Sequence, residues 1–413
     1  MGINLDEDNQ AILLLSAHFS MARKGDPTPL TPIEYGRLSS WLHQNGYTPK
    51  DLFFRLDAVI EAWTDPKGKI TAERLAYLLG RGTAMGLALE KWNSAGIWIL
   101  TRADSDYPKR LRQKLGQDAP PILFGVGNRR LLNAGGLAMV GSRSIEAADQ
   151  AYAQQVARAA AGEGLNVVSG AAKGVDETAM LAALEMEGTA LGILANGLMS
   201  AALSGKWRSH LKSNQLCLIS TYYPEASFHV GNAMGRNKYI YCLADYGLVV
   251  RSDKNKGGTW AGATEALKKA LAPVFVNQGC DAAGNVGLIE LGATPLPTPA
   301  AESGDWLLQA LQCTAGGEAV PGAPDEVPSL PQQDLFFAHF VEHLQKTFET
   351  MSEVTLKLLK ERHPDLTEKQ ITSWLERAVA EGLIERRGEA HRYTRQGTSA
   401  QQRELFDLGR KES

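Results

Sequence analysis

From Leu137 onward the chain alternates short apolar runs with longer mixed stretches. Leu137-Ala138-Met139-Val140 is apolar and breaks at Gly141-Ser142-Arg143. An Ala-rich segment, 146–161, reads as a helix. A second apolar run, 165–168, breaks at Ser169-Gly170 and leads through Lys173-Gly174 to Asp176. Short, continuously apolar runs between glycine turns fit strands buried on both faces. The same pattern predicts strands at 190–194, 217–220, 247–250 and 274–276, with helices at 176–187, 233–244 and 260–270. Repeated alternation of this kind predicts an α/β fold, a doubly wound parallel sheet with right-handed crossovers. Ligands of such sheets sit at the C-terminal strand ends, where both glycine turns fall.

Before this core, residues 1–95 read as small helices. One begins at Ile12, and others cover 33–43, 50–63 and 72–79, the last followed by Arg81-Gly82. Short helices with glycine hinges are similar to helix-hairpin-helix or sterile-alpha-motif-like modules, which grip phosphates through loop N–H groups. A packing or dimerising helical domain is the alternative. Apolar runs at 96–100 and 120–125, with a helical stretch at 107–115, are expected to join the sheet, so the core spans 96–312. Residues 313–334 are rich in Gly, Pro, Ala and acids and read as a linker. Residues 335–396 read as helix, helix and β-wing, a winged helix-turn-helix. A polar tail, 397–413, follows.

A length of 413 residues exceeds one ordinary core. The net charge of -3 excludes a wholly basic nucleic-acid coat and permits a local basic cleft. Cys217, Cys242, Cys280 and Cys313 form no CxxC pair, which argues against zinc or a disulfide scaffold and suits a reducing cytosol. Asp6, Glu7 and Asp8 reverse the basic start of a signal peptide, and no apolar run approaches the ~18 residues of a spanning helix. A cytoplasmic chain with no membrane partner is expected.

The first turn lacks the GxGxxG dinucleotide fingerprint, and Ser142-Arg143 replaces the Lys-Ser/Thr of a Walker loop, so NAD use and ATP hydrolysis are not expected. HExxH and GxSxG are absent. His229 and Ser169 lack a third partner. No cofactor, metal or catalytic constellation is therefore expected. What remains are anion-suited loops. Gly141, Ser142 and Arg143 offer N–H groups at a helix start plus a guanidinium, and Ser169, Gly170 and Lys173 offer an ammonium. Asp176 reads as a cap for the following helix. Phe228 precedes Arg236, Asn237 and Lys238, joining an aromatic to two cations, as single strands require for stacking and charge. Lys254, Lys256, Gly257, Gly258 and Thr259 form a fourth loop entering a helix.

Three segments resemble the DNA-processing protein A (DprA/Smf) family. They are Met139-Val140-Gly141-Ser142-Arg143, Val168-Ser169-Gly170-Ala171-Ala172-Lys173-Gly174-Val175-Asp176, and Gly235-Arg236-Asn237-Lys238 with Gly257-Gly258-Thr259. The likeness spans residues 96–276. It implies an extended Rossmann-like core that binds single-stranded DNA, forms a homodimer and helps load RecA recombinase. By that resemblance the DNA pocket includes Gly141, Ser142, Arg143, Lys173, Phe228, Arg236, Asn237 and Lys238. The chain departs from the family at Met180, where many members have His, and in the loop 257–262. Transformation, genome maintenance and phage defence are all open as its context. The wider relationship of the fold to LOG-type nucleotide phosphoribohydrolases gives a second reading, a nucleotide-binding sensor or hydrolase using Glu265, although the loop spacing does not match. Finally, Gln332-Gln333-Asp334-Leu335-Phe336 is similar to a sliding-clamp-binding peptide, and Gln402-Arg403-Glu404-Leu405-Phe406 repeats the spacing, making the sliding clamp a candidate partner. The alternative is that these residues pack on the winged domain.

Overall fold

The computed structural model describes residues 5–20, 25–297, 306–315 and most of 340–395. Contacts divide the chain into two units, Met1–Gly317 and Glu318–Ser413. The linker and both clamp-like peptides, 332–336 and 402–406, lie outside the described residues, as does the tail beyond 395.

The first unit opens with five helices, α1 (Glu7–Ser16), α2 (Pro32–Gln44), α3 (Leu56–Ala62), α4 (Ala72–Leu79) and α5 (Gly82–Ser94). The starts of α1, α2 and α4 are set by side chains that satisfy orphan N–H groups. Asp6 accepts from Asn9 N–H at 2.8 Å, and Thr31 and Glu34 form a capping box. The single helix expected over 50–63 is instead a 3-10 turn, Pro49–Phe53, followed by α3. Arg55 leaves the helical region between them, at φ -133 and ψ 27. Arg37 forks onto the buried carboxylate of Asp65, with Nε to Oδ1 at 3.0 Å and Nη2 to Oδ2 at 3.1 Å. The helices share one apolar cluster with a face of the sheet. There Trp92, fully buried, meets Phe124 edge-on at 5.2 Å.

The sheet has nine strands: β1 (Trp98–Thr101), β2 (Ile122–Gly127), β3 (Leu137–Val140), β4 (Val167–Ser169), β5 (Ala190–Leu194), β6 (Leu216–Ser220), β7 (Tyr246–Val249), β8 (Val274–Asn277) and β9 (Thr294–Leu296). Their order is β1-β2-β6-β5-β4-β3-β7-β8-β9. From β6 to β9 all pairings are parallel. Only β1 and β2 are antiparallel, extending the sheet beyond β6. Helices α6 (Lys109–Leu115), α7 (Ala147–Gly162), α8 (Val175–Glu185), α9 (Met199–Ala202), α10 (Gly205–Lys212), α11 (Val230–Leu243), α12 (Gly257–Lys268), α13 (Ala283–Glu290) and α14 (Trp306–Ala315) complete the unit.

Both faces of the sheet are covered, which is why its strands read as continuously apolar. In β3, Leu137 and Met139 pack with α7 and α8, while Ala138 and Val140 pack with α11 and α12. This period-2 split divides the unit into a layer of α1–α5, α7, α8 and α14 and a layer of α6, α11, α12 and α13.

The second unit holds β10 (Glu353–Thr355), two helices, Leu356–Arg362 and Glu368–Ala380, then β11 (Ile384–Arg387) and β12 (Arg392–Arg395). Its antiparallel sheet runs β10-β12-β11. Phe340, Leu344, Val354, Leu359, Ile371, Leu375, Ile384 and Tyr393 form its buried core.

Candidate nucleic-acid interface

The chain winds from β3 through β4 and β5 to β6, then places β7, β8 and β9 on the other side of β3. The turns leaving β3 and β7 therefore diverge, and a crevice opens between them at the C-terminal strand ends. It is a cleft of about 310 Å³. Gly141, Ser142 and Arg143 line one side, and Arg251, Ser252, Asp253 and Lys256 the other. The first turn of α12 (Gly257, Gly258, Thr259) and Ala233, Met234, Arg236 and Asn237 of α11 complete the wall over a floor containing Ala172 and Asp176.

Local hydrogen bonds fix this wall. Ser142 N–H donates to the Arg251 carbonyl at 3.0 Å. Thr259 Oγ1 donates to the Gly141 carbonyl at 3.0 Å, and Asn237 Nδ2 donates to the Gly258 carbonyl at 2.8 Å. Lys256 is the N-cap of α12, and no side chain caps that helix. Its first-turn N–H groups and the positive end of its dipole are left to the cleft, an arrangement that favours an anion.

The floor is built on Asp176. Its carboxylate accepts backbone N–H groups of Ala172, Gly170 and Gly141, so one side chain ties the turn after β4 to the turn after β3. This corrects the expectation that Asp176 caps α8, whose N-cap is Gly174 at φ 90. A Cβ on Gly174 would lie 2.4 Å from the Ser142 carbonyl, so glycine is required there on both counts. Ala171 sits at φ 52, a left-handed conformation unusual for a side-chain-bearing residue, held by the bonds on either side of it. Burial pushes Asp176 up to about 6, against the opposing pull of Arg236 and the three N–H groups. Arg236 is only 3% exposed. Burial lowers its pKa, and nearby Asp176 opposes that shift. Its guanidinium lies against Gly170, where a Cβ would come within 1.7 Å of Nη1. Arg236 Nε and Nη1 are buried and have no hydrogen-bond partner.

The rim differs. Arg143 is exposed, and its guanidinium lies 4.8 Å from the centre of the Phe228 ring. Phe228 is itself 45% exposed. Lys256 is also exposed. Arg251, by contrast, is bound to Glu146 and Asp149, each at 3.2 Å. Among the described residues Arg143 and Lys256 form no ion pair, so they and the α12 terminus supply the available positive potential.

Nine residues of the loops singled out in the sequence line this cleft: Gly141, Ser142, Arg143, Arg236, Asn237, Lys256, Gly257, Gly258 and Thr259. Phe228 joins them at the rim through Arg143, and Gly170 acts from beneath by seating Arg236. Ser169 is fully buried and donates its hydroxyl to the Met139 carbonyl at 2.5 Å, which ties β4 to β3. Lys173 is exposed outside the lining. Lys238 also lies outside it. Two positions after Arg236 it points elsewhere, 5.3 Å from the centre of the Tyr239 ring. Glu265 is paired with Lys269 at 2.7 Å and does not line the cleft. Met180 is core, fully buried. Sequence reasoning missed Arg251, Ser252 and Asp253. Their signal was their place immediately after the apolar run of β7. No cluster of three or more metal-ligating side chains occurs among the described residues.

A mostly parallel Rossmann-like sheet, with an uncapped helix start and two exposed cations at its switch point, defines an α/β protein whose cleft is suited to an anion. The family described as DNA recombination-mediator protein A matches residues 98–303. The DNA processing protein DprA of Bacillus subtilis is 26% identical over 212 residues, 50% of this chain and 70% of that protein. Protein Smf of Escherichia coli is 27% identical over 308 residues, 71% of this chain and 78% of that one. Among solved structures, DNA processing protein A of Streptococcus pneumoniae is 22% identical, with a TM-score of 0.45 over 65% of this chain and 95% of that one. A second, from Helicobacter pylori and described for its single-stranded DNA binding mode, is 22% identical, with a TM-score of 0.43 over 53% of this chain and 95% of that one. The chain belongs to the DprA/Smf family of DNA recombination mediators.

Proposed function

We propose that the cleft binds single-stranded DNA and that the protein delivers this strand to a RecA-class recombinase. The observation that carries the DNA reading is the Arg143–Phe228 pair at the mouth of a cleft whose back wall is an uncapped helix start. Phosphate needs the N–H groups and cations, and an unstacked base needs the exposed ring. In a duplex the bases stack on one another and are not free to reach that ring. Family membership supports the recombinase step. Arg143, Lys256 and the α12 N–H groups hold phosphate, and Phe228 stacks a base. Asp176 and Arg236 hold the floor. No chemical step is required of any residue, and the position of Glu265 gives the nucleotide-hydrolase reading no support.

We further propose that the protein works as a homodimer and that the smaller unit is a winged helix. Its order of strand, two helices and hairpin fits that description. Arg386 on its hairpin is exposed. The sliding-clamp reading rests on the peptide pattern alone.

Titration of labelled oligo-dT and of duplex DNA at two salt concentrations tests the binding step. The expected result is tighter binding of the single strand, weakening steeply with salt. Equal or preferential duplex binding would refute it. The recombinase step is tested by following RecA ATP hydrolysis on single strands already coated with single-strand-binding protein. Faster onset is expected when this protein is added.

A further inference from the structure

Four hydrogen bonds join the walls of the cleft to one another. Ser142 N–H and the Arg251 carbonyl, at 3.0 Å, join the turn after β3 to the turn after β7. Val175 N–H and the Ser142 carbonyl, at 3.3 Å, join the start of α8 to the turn after β3. Thr259 Oγ1 and the Gly141 carbonyl, at 3.0 Å, join that turn to α12. Asn237 Nδ2 and the Gly258 carbonyl, at 2.8 Å, join α11 to α12. The cleft is thereby a cup, and a strand cannot thread behind these bonds. Its volume of about 310 Å³ lies at the low end of the ~300–1,000 Å³ of small-molecule sites, room for one nucleotide-sized group.

Two features of the cup call for an anion independently. The start of α12 has no side-chain cap, and its first two residues are glycines. No atom stands within 4 Å of where a Cβ of Gly257 would lie, so the first-turn N–H groups are open to a ligand. Arg236 lines the cup and is 3% exposed. Its guanidinium forms no hydrogen bond or ion pair among the described residues, and Nε and Nη1 are buried in that state. A buried charged group without bonded partners is costly, and an anion bound beside it removes the penalty. Two carboxylates also line the cup. Asp176 is held by backbone N–H groups, and Asp253 is exposed at the rim. Arg143, Lys256, Arg236 and the helix end outweigh them, so the cup stays positive.

We propose that the cleft is a phosphomonoester site, which takes the phosphorylated end of a DNA strand in preference to an internal phosphodiester. This rests on the reading of the cleft as a single-strand site. An internal phosphate continues in two directions, and both continuations have to turn back through one mouth. A terminal phosphate has one continuation. It also presents three free oxygens and a charge of about -1.5 to -2 at neutral pH, against two oxygens and a single charge for the diester. The larger charge suits a helix end and an unpartnered guanidinium acting together. The base of the last nucleotide is then left for the Phe228 ring at the mouth. A free nucleotide carries the same group, and the test separates the two sources.

The test sets competitors against a labelled single strand on the wild-type protein. They are oligo-dT of about eight nucleotides with a 5′-phosphate, a 3′-phosphate or hydroxyls at both ends, a closed circle of oligo-dT, and dTMP. A phosphate on one end should improve competition roughly three- to tenfold over the hydroxyl-ended strand. It should also steepen the salt slope by up to about 0.7. The circle should compete no better per nucleotide than the hydroxyl-ended strand. Equal competition by all strands, whatever their ends, would overturn the inference and leave the single-strand reading standing. If dTMP competes as strongly as the phosphorylated strand, the site belongs to a free nucleotide and the strand end is overturned. A protein that binds no strand would remove the cleft reading first and this one with it. Arg236→Lys keeps the charge and loses the planar fork. A folded Arg236→Lys protein should lose the preference for a terminal phosphate, and a full preference retained there would contradict the part given to Arg236. Thermal melting checks the fold, and if the variant melts early the wild-type comparison decides alone.

Discussion

Two buried aspartates, each beside an arginine, are handled in opposite ways. In the helical layer, Asp65 is 3% exposed and takes both prongs of Arg37. Burial pulls its pKa upward, but N–H groups of Lys69 and Ile70 and the Arg37 fork outweigh it, and the carboxyl titrates below its ordinary value. In the cleft floor, Asp176 accepts three N–H groups, yet its arginine is a neighbour and not a bonded partner. Burial dominates, and the carboxyl is pushed up to about 6. Arg236 keeps Nε and Nη1 without partners. The first pair is closed on itself and holds helices together. The second is left incomplete beneath a cleft, as expected where a fold gives up stability to keep a site in shape.

Removing either carboxylate should have the largest effect. Asp176→Ala should lower stability by about 3–5 kcal/mol, since it leaves the buried Arg236 without its counter-ion, and Asp65→Ala should cost a comparable amount, since it takes the acceptor from Arg37 and from the Lys69 and Ile70 N–H groups. Urea denaturation measures this. Only Asp176→Ala should also weaken oligo-dT binding by the folded fraction, because it frees the turns after β3 and β4. Normal DNA affinity in a folded Asp176→Ala protein would break the distinction.

The pH dependence should carry opposite signs. For Asp65 the folded pKa lies below the unfolded value of 3.8. Its contribution is present above about pH 4 and is lost as pH falls through the folded pKa. For Asp176 the folded value, about 6, lies above the unfolded 3.8. Its unfavourable contribution is absent below about pH 4, grows between pH 4 and 6, and levels off at about 3 kcal/mol. The stability difference between wild type and Asp176→Asn should therefore move against the wild type from pH 4 to 7. The difference for Asp65→Asn should stay flat over that range and change only in stronger acid. Parallel profiles would contradict the comparison.

Gly170→Ala should cost about 1–3 kcal/mol by overpacking, since the new methyl group meets the Arg236 guanidinium. Reduced oligo-dT affinity should accompany it.

The strands of the central sheet were legible because burial on both faces leaves an unbroken apolar run. Residues 137–140 and 190–194 came out with their bounds correct. Other elements gave weaker signals. Gly82 made the start of α5 read as a hinge, yet packing of Trp92 overrides the low helix propensity of Gly82 and Gly86. Helix α13 carries Gly284 and Gly287, and β9 is three residues long with Pro295 in its middle, so neither shows a period. The antiparallel pairing of β1 and β2 is a tertiary fact that no local pattern records. Within the site, turn residues were found from their glycines. Lys238 was grouped with Arg236 by proximity in sequence, although two positions on a helix turn a side chain through about 200°. The role of Asp176 was hidden because its three partners come from two different turns, 35 residues apart between Gly141 and Asp176 in sequence.

The most direct test of the account is the salt dependence of oligo-dT binding by the Arg143→Ala, Lys256→Ala double variant. Both side chains are exposed and form no ion pair among the described residues, so stability should stay within about 0.5 kcal/mol of the wild type. Fluorescence anisotropy across a salt series should show weaker binding, with the slope of log affinity against log salt reduced by about 1.4. A folded double variant that keeps wild-type affinity and slope would contradict the assignment of this cleft to single-stranded DNA.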